Sequence, residues 1–216
     1  MSKPNETRKV ACIILAAGMS TRFGSLKQLV EIEGRPLLQR AVDIANDSNA
    51  DYVILVIGAH SSEILGKVQT GRAQVVFNKD YERGQSTSLR CGIANLPDDC
   101  AGTIIMVADQ PFLKSEYLNE MILIFEQKCG DSEVVALSHA GEPRNPVLVP
   151  KELFPIMSEI KGDIGARSVI QNYDKLRLVE IQDERAFLDV DTKQSVSILN
   201  TGKNLKKLPH REEFAD

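Results

Sequence analysis

The sequence predicts an α/β protein with a mainly parallel, twisted sheet, and three observations support this class. Short apolar runs that begin near residues 9, 52 and 103 are rich in Ile and Val, as in strands buried on both faces. Between them lie segments with apolar residues at helical spacing. After residue 130 the strand-like segments follow each other closely, which predicts a short antiparallel section in the second half. The predicted architecture is a three-layer sandwich with helices on both faces of the sheet.

The predicted elements follow in order along the chain. In the first half, strands are predicted at residues 9–16, 28–32, 52–57, 74–77 and 103–108, and helices at 37–49, 61–68, 84–96 and 115–128. In the second half, strands at 133–137 and 146–149 flank a turn at 140–145, short helices are predicted at 151–159, 165–171 and 192–199, and extended segments at 177–181 and 186–190. We expect a single domain over residues 1–200 and a polar C-terminal tail at 201–216.

Composition excludes several classes of protein. The chain has 216 residues, 43% of them apolar and 26% charged, which is typical of a globular domain that can bury one sizeable core. A formal net charge of -4 gives no electrostatic reason to expect nucleic acid or an anionic membrane as a partner. No apolar run is long enough to span a bilayer and the N-terminus carries no signal segment, so we expect a cytoplasmic protein.

A glycine-rich loop follows the first predicted strand. The apolar run breaks at Gly18 into small residues that carry Arg22 and Lys27, with a second glycine at Gly24. Such a loop lets backbone N–H groups approach an anion while the two long cations reach over it. Its spacing matches neither the G-x-x-x-x-G-K-[ST] loop nor the G-x-G-x-x-G loop. The pattern therefore predicts a phosphate-binding loop of another kind.

Carboxylates occur where the predicted sheet should bind a ligand. Asp109 directly follows an apolar strand, and ligands of parallel sheets bind at the carboxyl ends of the strands, which places Asp109 at the same edge as the glycine loop. Asp189 and Asp191 alternate with Val190, so an extended backbone would point both toward one face. Mg²⁺ binds one or two carboxylates together with phosphate oxygens. Asp109 and one of the two later aspartates are thus predicted to hold Mg²⁺ for nucleotidyl transfer.

Further candidate residues lie in two other segments. Gln85 and Ser86 open a predicted helix, where free N–H groups and an amide suit recognition of a base or a phosphate, and no histidine partner supports a serine nucleophile. The irregular second half is where an acceptor pocket is expected. The candidates there are Arg144, Asn145, Pro146, Gly162, Asp163, Gly165 and Arg167.

The assembled motifs resemble a known family. They are LAAGMSTRFGSLKQL at residues 15–29, GRPLL at 34–38, GQSTSL at 84–89, VADQP at 107–111, NPVLVP at 145–150, GDIGAR at 162–167 and DVDT at 189–192. In this order they resemble the nucleotidyltransferases with a glycosyltransferase-like fold, and within these the molybdenum cofactor nucleotidyltransferases of the MobA-like group. The resemblance covers nearly the whole chain.

The resemblance implies a role for each matching position. Arg22 and Lys27 would be catalytic, on the triphosphate; Asp109 would be the main Mg²⁺ ligand and Asp191 the second. Nucleotide contacts would come from Leu15, Ala16, Ala17, Gly18, Ser20, Gly24, Gln85 and Ser86. Residues 9–110 would then form the nucleotide-binding half and residues 111–200 the acceptor-binding half.

The resemblance also implies a substrate pair. Members that use GTP tend to carry LAGG and cytidylyl members LAAG, so Ala17 favours CTP. The implied reaction transfers CMP from CTP to the terminal phosphate of molybdopterin, with a molybdenum hydroxylase of the xanthine dehydrogenase type as client. The acceptor motif departs from many members, because Asn145 precedes the proline. Alternatives are a sugar- or polyol-phosphate nucleotidyltransferase, an oxidoreductase, as one family member is named, and a cofactor-carrying maturation factor.

Overall fold

The computed structural model describes residues 8–19, 23–128, 132–162 and 173–201. The strands are β1 Lys9–Leu15, β2 Glu31–Ile32, β3 Arg35–Pro36, β4 Tyr52–Ile57, β5 Gln74–Phe77, β6 Cys100–Val107, β7 Val134–His139, β8 Glu142–Pro150 and β9 Leu176–Glu180. The α-helices are α1 Leu37–Asp47, α2 Ser61–Leu65, α3 Gln85–Ile93, α4 Ser115–Lys128, α5 Phe154–Glu159 and α6 Lys193–Thr201. Short 3-10 helices lie at Lys27–Leu29, Tyr81–Arg83, Lys151–Leu153 and Glu184–Phe187. None of the helices in these ranges is long and apolar enough to cross a bilayer.

The main sheet has seven strands in the order β5-β4-β1-β6-β8-β7-β9. Neighbouring strands run parallel except at β8, which is antiparallel to both β6 and β7. The predicted class, a mainly parallel sheet with a short antiparallel section in the second half, is confirmed. The carboxyl ends of β1, β4 and β6 therefore meet at one edge, which the start of β8 also reaches.

Residues of β1 alternate between two hydrophobic cores. Cys12 and Ile14 belong to a core that includes residues of α1 and α4. Ile13 and Leu15 belong to the other core, with residues of α3 and α5. Successive side chains of a strand point to opposite faces of a sheet, so the two cores lie on its two sides. The predicted three-layer arrangement is confirmed.

The predicted strand at 28–32 is wrong over most of its length. Lys27–Leu29 forms a 3-10 helix, and only Glu31–Ile32 pairs, with Arg35–Pro36, in a separate two-stranded sheet. Glu33 and Gly34 connect the two strands with φ values of 51° and 75°, as in the type I′ turns that favour two-residue hairpins. The alternation of residues 29–32 is thus the start of a hairpin that leads into α1.

Two predictions for the second half also need correction. The turn predicted at 140–145 is limited to Ala140 and Gly141, with φ values of 52° and 78°, and the next residues already belong to β8. Residues 186–190 are not a strand, because a 3-10 helix at Glu184–Phe187 begins where Asp183 accepts a hydrogen bond from the N–H of Arg185. The helix predicted at 165–171 lies outside the described residues.

A glycine lets α3 lie close to β1. A β-carbon at Gly92 would lie 2.7 Å from Ile13 Cγ2, inside the separation that packed carbons adopt. The close approach holds α3 against β1, and the first residues of this helix are predicted site residues.

We expect Gly92→Ala to lower the free energy of unfolding by about 1–3 kcal/mol, because overpacking a buried contact costs that much. Ile13 is β-branched and fully buried, so it has little room to move, and the repulsion exceeds the gain of about 1 kcal/mol from removing a helical glycine. Urea unfolding measures the difference. Gly66→Ala is the matched control, since its β-carbon would lie 3.4 Å from the nearest atom, Ser62 O. Equal effects of the two substitutions would contradict the packing argument.

Candidate active site

The glycine loop is held at both ends by the protein backbone and by one buried amide. Ala16 N donates to Val56 O at 2.9 Å. Gln28 Nε2 donates to Ala16 O at 3.1 Å and to Gly18 O at 2.7 Å, and Gln28 is only 6% exposed. Gly24 has φ of +70°, which favours glycine. The role of Gln28 was missed in the sequence, where its only signal was an amide directly after Lys27.

Lys27 bridges two carboxylates that are far apart in sequence. Its Nζ lies 2.8 Å from Asp109 Oδ2 and 2.8 Å from Asp191 Oδ1. The side chains of Lys27 and Asp109 are 19% and 23% exposed, whereas that of Asp191 is 45% exposed. The structure therefore brings together one predicted triphosphate residue and both predicted metal ligands, at the carboxyl ends of β1 and β6.

The pKa of Lys27 reflects this environment. Burial alone would lower the pKa, because the charged ammonium loses solvation. The charge of Asp109 and hydrogen bonds to Asp109 and Asp191 outweigh burial, and the pKa is raised above its ordinary value. Lys27 is therefore fully charged at neutral pH, and the two carboxylates share one cation.

The donor set suits a hard divalent cation. Asp109 Oδ1 is buried and accepts no hydrogen bond, which leaves a carboxylate oxygen available to a cation. Within the described ranges, no group of three or more His, Cys, Asp and Glu side chains could hold a metal. Two carboxylates would therefore bind the ion together with phosphate oxygens and water, which is how Mg²⁺ usually binds.

Asp191 is the later aspartate that reaches Lys27. Val190 N donates to Asp109 O at 3.0 Å, which joins the 189–191 segment to the end of β6. The backbone around Asp189 and Asp191 is not a strand, so the alternation that was expected to give both one orientation does not apply. This geometry favours Asp191 over Asp189 as the partner of Asp109.

The start of α3 forms another wall at this edge. The helix begins at Gln85, and Ser86 is 1% exposed with an Oγ that is buried and has no hydrogen-bond partner. Ser86 N donates to Gly162 O at 3.2 Å, so a predicted nucleotide residue contacts a predicted acceptor residue. The contact links the two predicted halves of the site.

Asn78 organises the segment that leads into α3. Its Nδ2 donates to Thr87 Oγ1 at 2.9 Å and to Ser88 Oγ at 3.0 Å, and its Oδ1 accepts from Asp80 N at 3.0 Å. Asn78 was missed in the sequence. The available signal was a polar residue directly after strand β5, at the edge that also carries Gly18 and Asp109.

Arg144 and Asn145 lie on β8 instead of in the predicted turn, and Pro146 lies on the same strand, as predicted. Arg144 pairs with Leu137, and the next pair is Val147 with Ala136. The register of the two strands therefore shifts at Asn145 and Pro146, which lie between these pairs. Proline has no N–H for a strand ladder, which accounts for the irregularity. The start of β8 nevertheless lies at the same edge of the sheet as the end of β6, since the two strands are antiparallel.

Several predicted site residues cannot be placed. Ser20, Arg22, Asp163, Gly165 and Arg167 lie outside the described residues.

A cavity of about 590 Å³ lies beside the glycine loop. Its walls include Met19, Gly24, Leu26, His60 and Glu63. Lys27, Asp109 and Asp191 do not line this cavity. The cavity therefore lies next to the charged part of the site, and shares the glycine loop with it.

Fold and site together define a nucleotidyltransferase. The chain belongs to the family described as MobA-like NTP transferase domain, whose model matches residues 12–177. It is 27% identical over 195 residues to nicotine blue oxidoreductase of Paenarthrobacter nicotinovorans, covering 85% of this chain and 92% of that protein. It is 26% identical over 197 residues to purine catabolism protein PucB of Bacillus subtilis, covering 87% of this chain and 94% of PucB.

Solved structures share the fold. Rv0371c of Mycobacterium tuberculosis H37Rv aligns with a TM-score of 0.79 at 23% identity, covering 90% of this chain and 99% of that one. A complex of Rv0371c with manganese aligns with a TM-score of 0.74 at 21% identity, with the same coverage of 90% and 99%. At these identities the likeness establishes the fold.

We expect Lys27→Met to have two opposite effects in metal-free buffer. The free energy of unfolding should fall by about 1–3 kcal/mol, because Asp109 loses its charged partner while remaining largely buried. The affinity for Mn²⁺ alone should rise, because the ammonium no longer competes for the two carboxylates. Chemical unfolding and calorimetric Mn²⁺ titration measure the two effects.

Lys9→Met is the matched control for this experiment. Lys9, at the start of β1, pairs with Asp99, just before β6, at 2.7 Å on the opposite edge of the sheet, but both side chains are about half exposed. Its loss should lower the free energy of unfolding less than the loss of Lys27 does, because water screens an exposed pair, and it should leave Mn²⁺ binding unchanged. Weaker or equal Mn²⁺ binding by Lys27→Met would refute competition for the carboxylates.

Proposed function

We propose that this protein is a Mg²⁺-dependent cytidylyltransferase that transfers CMP from CTP to the terminal phosphate of molybdopterin or molybdenum cofactor and releases pyrophosphate. The observation that carries the proposal is the Lys27 ammonium held between Asp109 and Asp191 beside the glycine loop. Two carboxylates and a lysine at this edge are the groups that bind a metal-bound triphosphate.

The residues would divide the work of in-line transfer. Asp109 and Asp191 would hold Mg²⁺, which supplies charge neutralisation at the phosphate oxygens. Lys27 and Arg22 would offset charge on the triphosphate as pyrophosphate leaves. The N-terminus of α3, with the buried Ser86, would orient the nucleotide. A terminal phosphate oxygen of the acceptor attacks the α-phosphorus directly, so no covalent enzyme intermediate is needed.

The assignment of CTP rests on Ala17. This residue is 2% exposed and belongs to the same core cluster as Leu89, against which Tyr81 packs, so its methyl group does not line an open pocket. Gly58 lies between Ala17 and Tyr81: a β-carbon at Gly58 would lie 2.7 Å from Tyr81 Cβ and 2.9 Å from Ala17 O. The segment around Ala17 and the segment before α3 therefore approach each other closely. We infer that the methyl group limits the room for a base by holding the segment before α3 in place.

The acceptor assignment rests on position and family. Arg144 and Asn145 lie at the start of β8, across the end of β6 from the glycine loop. This supports a nucleotide-binding half at about 9–110 and an acceptor-binding half at about 111–200 in one domain. The relative named for purine catabolism supports a molybdenum hydroxylase of the xanthine dehydrogenase type as client. The manganese complex of Rv0371c supports a divalent cation at the site.

We expect Asp109→Ala to reduce CTP-dependent pyrophosphate release, with molybdopterin as acceptor, by at least about 100-fold, because a metal ligand contributes several kcal/mol to the transition state. Asp191→Ala should have a smaller effect, since its side chain is 45% exposed. A coupled pyrophosphate assay with CTP and GTP measures both. The absence of CTP-dependent release from the wild type, or unchanged release by Asp109→Ala, would exclude the proposed activity.

We expect Ala17→Gly to shift the ratio of kcat/KM for CTP over GTP toward GTP by about tenfold, the effect of one methyl group on discrimination. Ala16→Gly is the matched control, because Ala16 is equally buried but faces the opposite core. It should lower stability without changing the ratio. If the two substitutions change the ratio equally, Ala17 does not select the base.

A further inference from the structure

Lys193 brings another cation to the glycine loop. Its Nζ lies 3.9 Å from the point that a β-carbon on Gly24 would occupy. Gly24 has φ of +70°, a backbone conformation that residues with a side chain rarely adopt. The backbone next to the ammonium therefore carries no side chain at this position. Lys193 opens α6, more than 160 residues after the loop, and the sequence motifs gave it no role.

The backbone position of Lys193 is fixed by contacts at both ends of α6. Thr192 Oγ1 accepts from Ser195 N at 3.1 Å, as an N-cap residue does. At the other end, Asn200 donates to Glu31 O at 3.0 Å and accepts from Glu33 N at 2.7 Å.

The same helix packs against the loop itself. Leu199 shares a core cluster with Phe23, which directly precedes Gly24 and is 6% exposed. The helix and the loop are therefore one packed unit, which keeps the backbone of Lys193 within reach of Gly24.

The electrostatics of this position call for an anion. A cation in the first turn of a helix opposes the helix dipole, so a nearby negative charge would stabilise a lysine there. In the described part of the chain the Lys193 ammonium has no ion pair or hydrogen bond. Lys27, by contrast, already bridges two carboxylates. Lys193 thus leaves its donors available beside a loop built to bind phosphate.

We propose that Lys193 binds the β- and γ-phosphates of the incoming nucleotide and the pyrophosphate that leaves. The inference rests on the proposed nucleotidyl transfer and adds a residue to it. An oxygen of the acceptor phosphate forms the new bond to the α-phosphorus, the bond from the α-phosphorus to the bridging oxygen breaks, and its electron pair stays with pyrophosphate. Lys193 offsets that charge and transfers no proton.

Binding of Mg²⁺–pyrophosphate and of CMP, measured by calorimetry, tests the proposal in the full chain. Lys193→Gln should weaken Mg²⁺–pyrophosphate binding by about tenfold, the effect of losing one charge-assisted hydrogen bond. CMP has no β-phosphate, so its affinity should not change. Lys193→Arg should retain most of the pyrophosphate affinity, and the loss in Lys193→Gln should shrink at high salt.

Two substitutions serve as controls. Gln194→Ala alters the adjacent exposed residue of the same helix turn, and Lys175→Gln removes one charge at the opposite edge of the sheet. Neither should change pyrophosphate binding. The proposal is overturned if Lys193→Gln binds Mg²⁺–pyrophosphate as tightly as the wild type, if it loses CMP affinity equally, or if the wild type binds no pyrophosphate. These measurements involve neither base choice nor acceptor, so failure of the cytidylyltransferase assignment would be seen separately, in the pyrophosphate-release assay.

Discussion

The bridge from Lys27 to Asp109 and Asp191 is the interaction on which the site depends. Two carboxylates at the end of a sheet repel each other unless a cation lies between them, and Lys27 supplies that cation at 2.8 Å from each. Because Lys27 follows the glycine loop, the same contact joins the loop to the end of β6 and to the 189–191 segment. The parts of the site that are farthest apart in sequence are thus held together by charge.

A small core separate from the two faces of the sheet supports this bridge. Its buried members come from the glycine loop, the hairpin and the start of α1 that follows it, the 188–190 segment and α6: they are Phe23, Ile32, Leu37, Leu188, Val190 and Leu199. Each of these segments carries or neighbours a charged residue of the site. Burial of apolar side chains gives the stability that fixed charges lack in water, so this third cluster positions groups that could not hold their own geometry.

Much of this arrangement could be predicted from the sequence, and the reasons for the failures are physical. The buried strands and the helical spacing determine the class of fold. Because the carboxyl ends of parallel strands lie at one edge of the sheet, the sequence also predicted that Asp109 lies near the glycine loop. The 28–32 segment was misread because two alternating residues of a hairpin resemble a longer strand. The roles of Gln28 and Asn78 were missed because each depends on which carbonyl or hydroxyl groups lie nearby, and local patterns do not contain that information. The residue pattern alone did not separate Asp191 from Asp189, because that depends on the backbone between them; only the family resemblance singled out Asp191.

The limited number of hydrogen-bond donors on Lys27 couples the binding of the metal to the binding of the nucleotide. An ammonium has three N–H donors, and at least two are committed to Asp109 and Asp191. These two donors are therefore not available to a phosphate while the carboxylates have no other cation. A divalent ion on the carboxylates would release the ammonium to the triphosphate, so each ligand favours binding of the other, and linkage makes the effect reciprocal. Lys193, which has no carboxylate partner among the described residues, stands outside this exchange and offers its charge to phosphate whether or not the metal is bound.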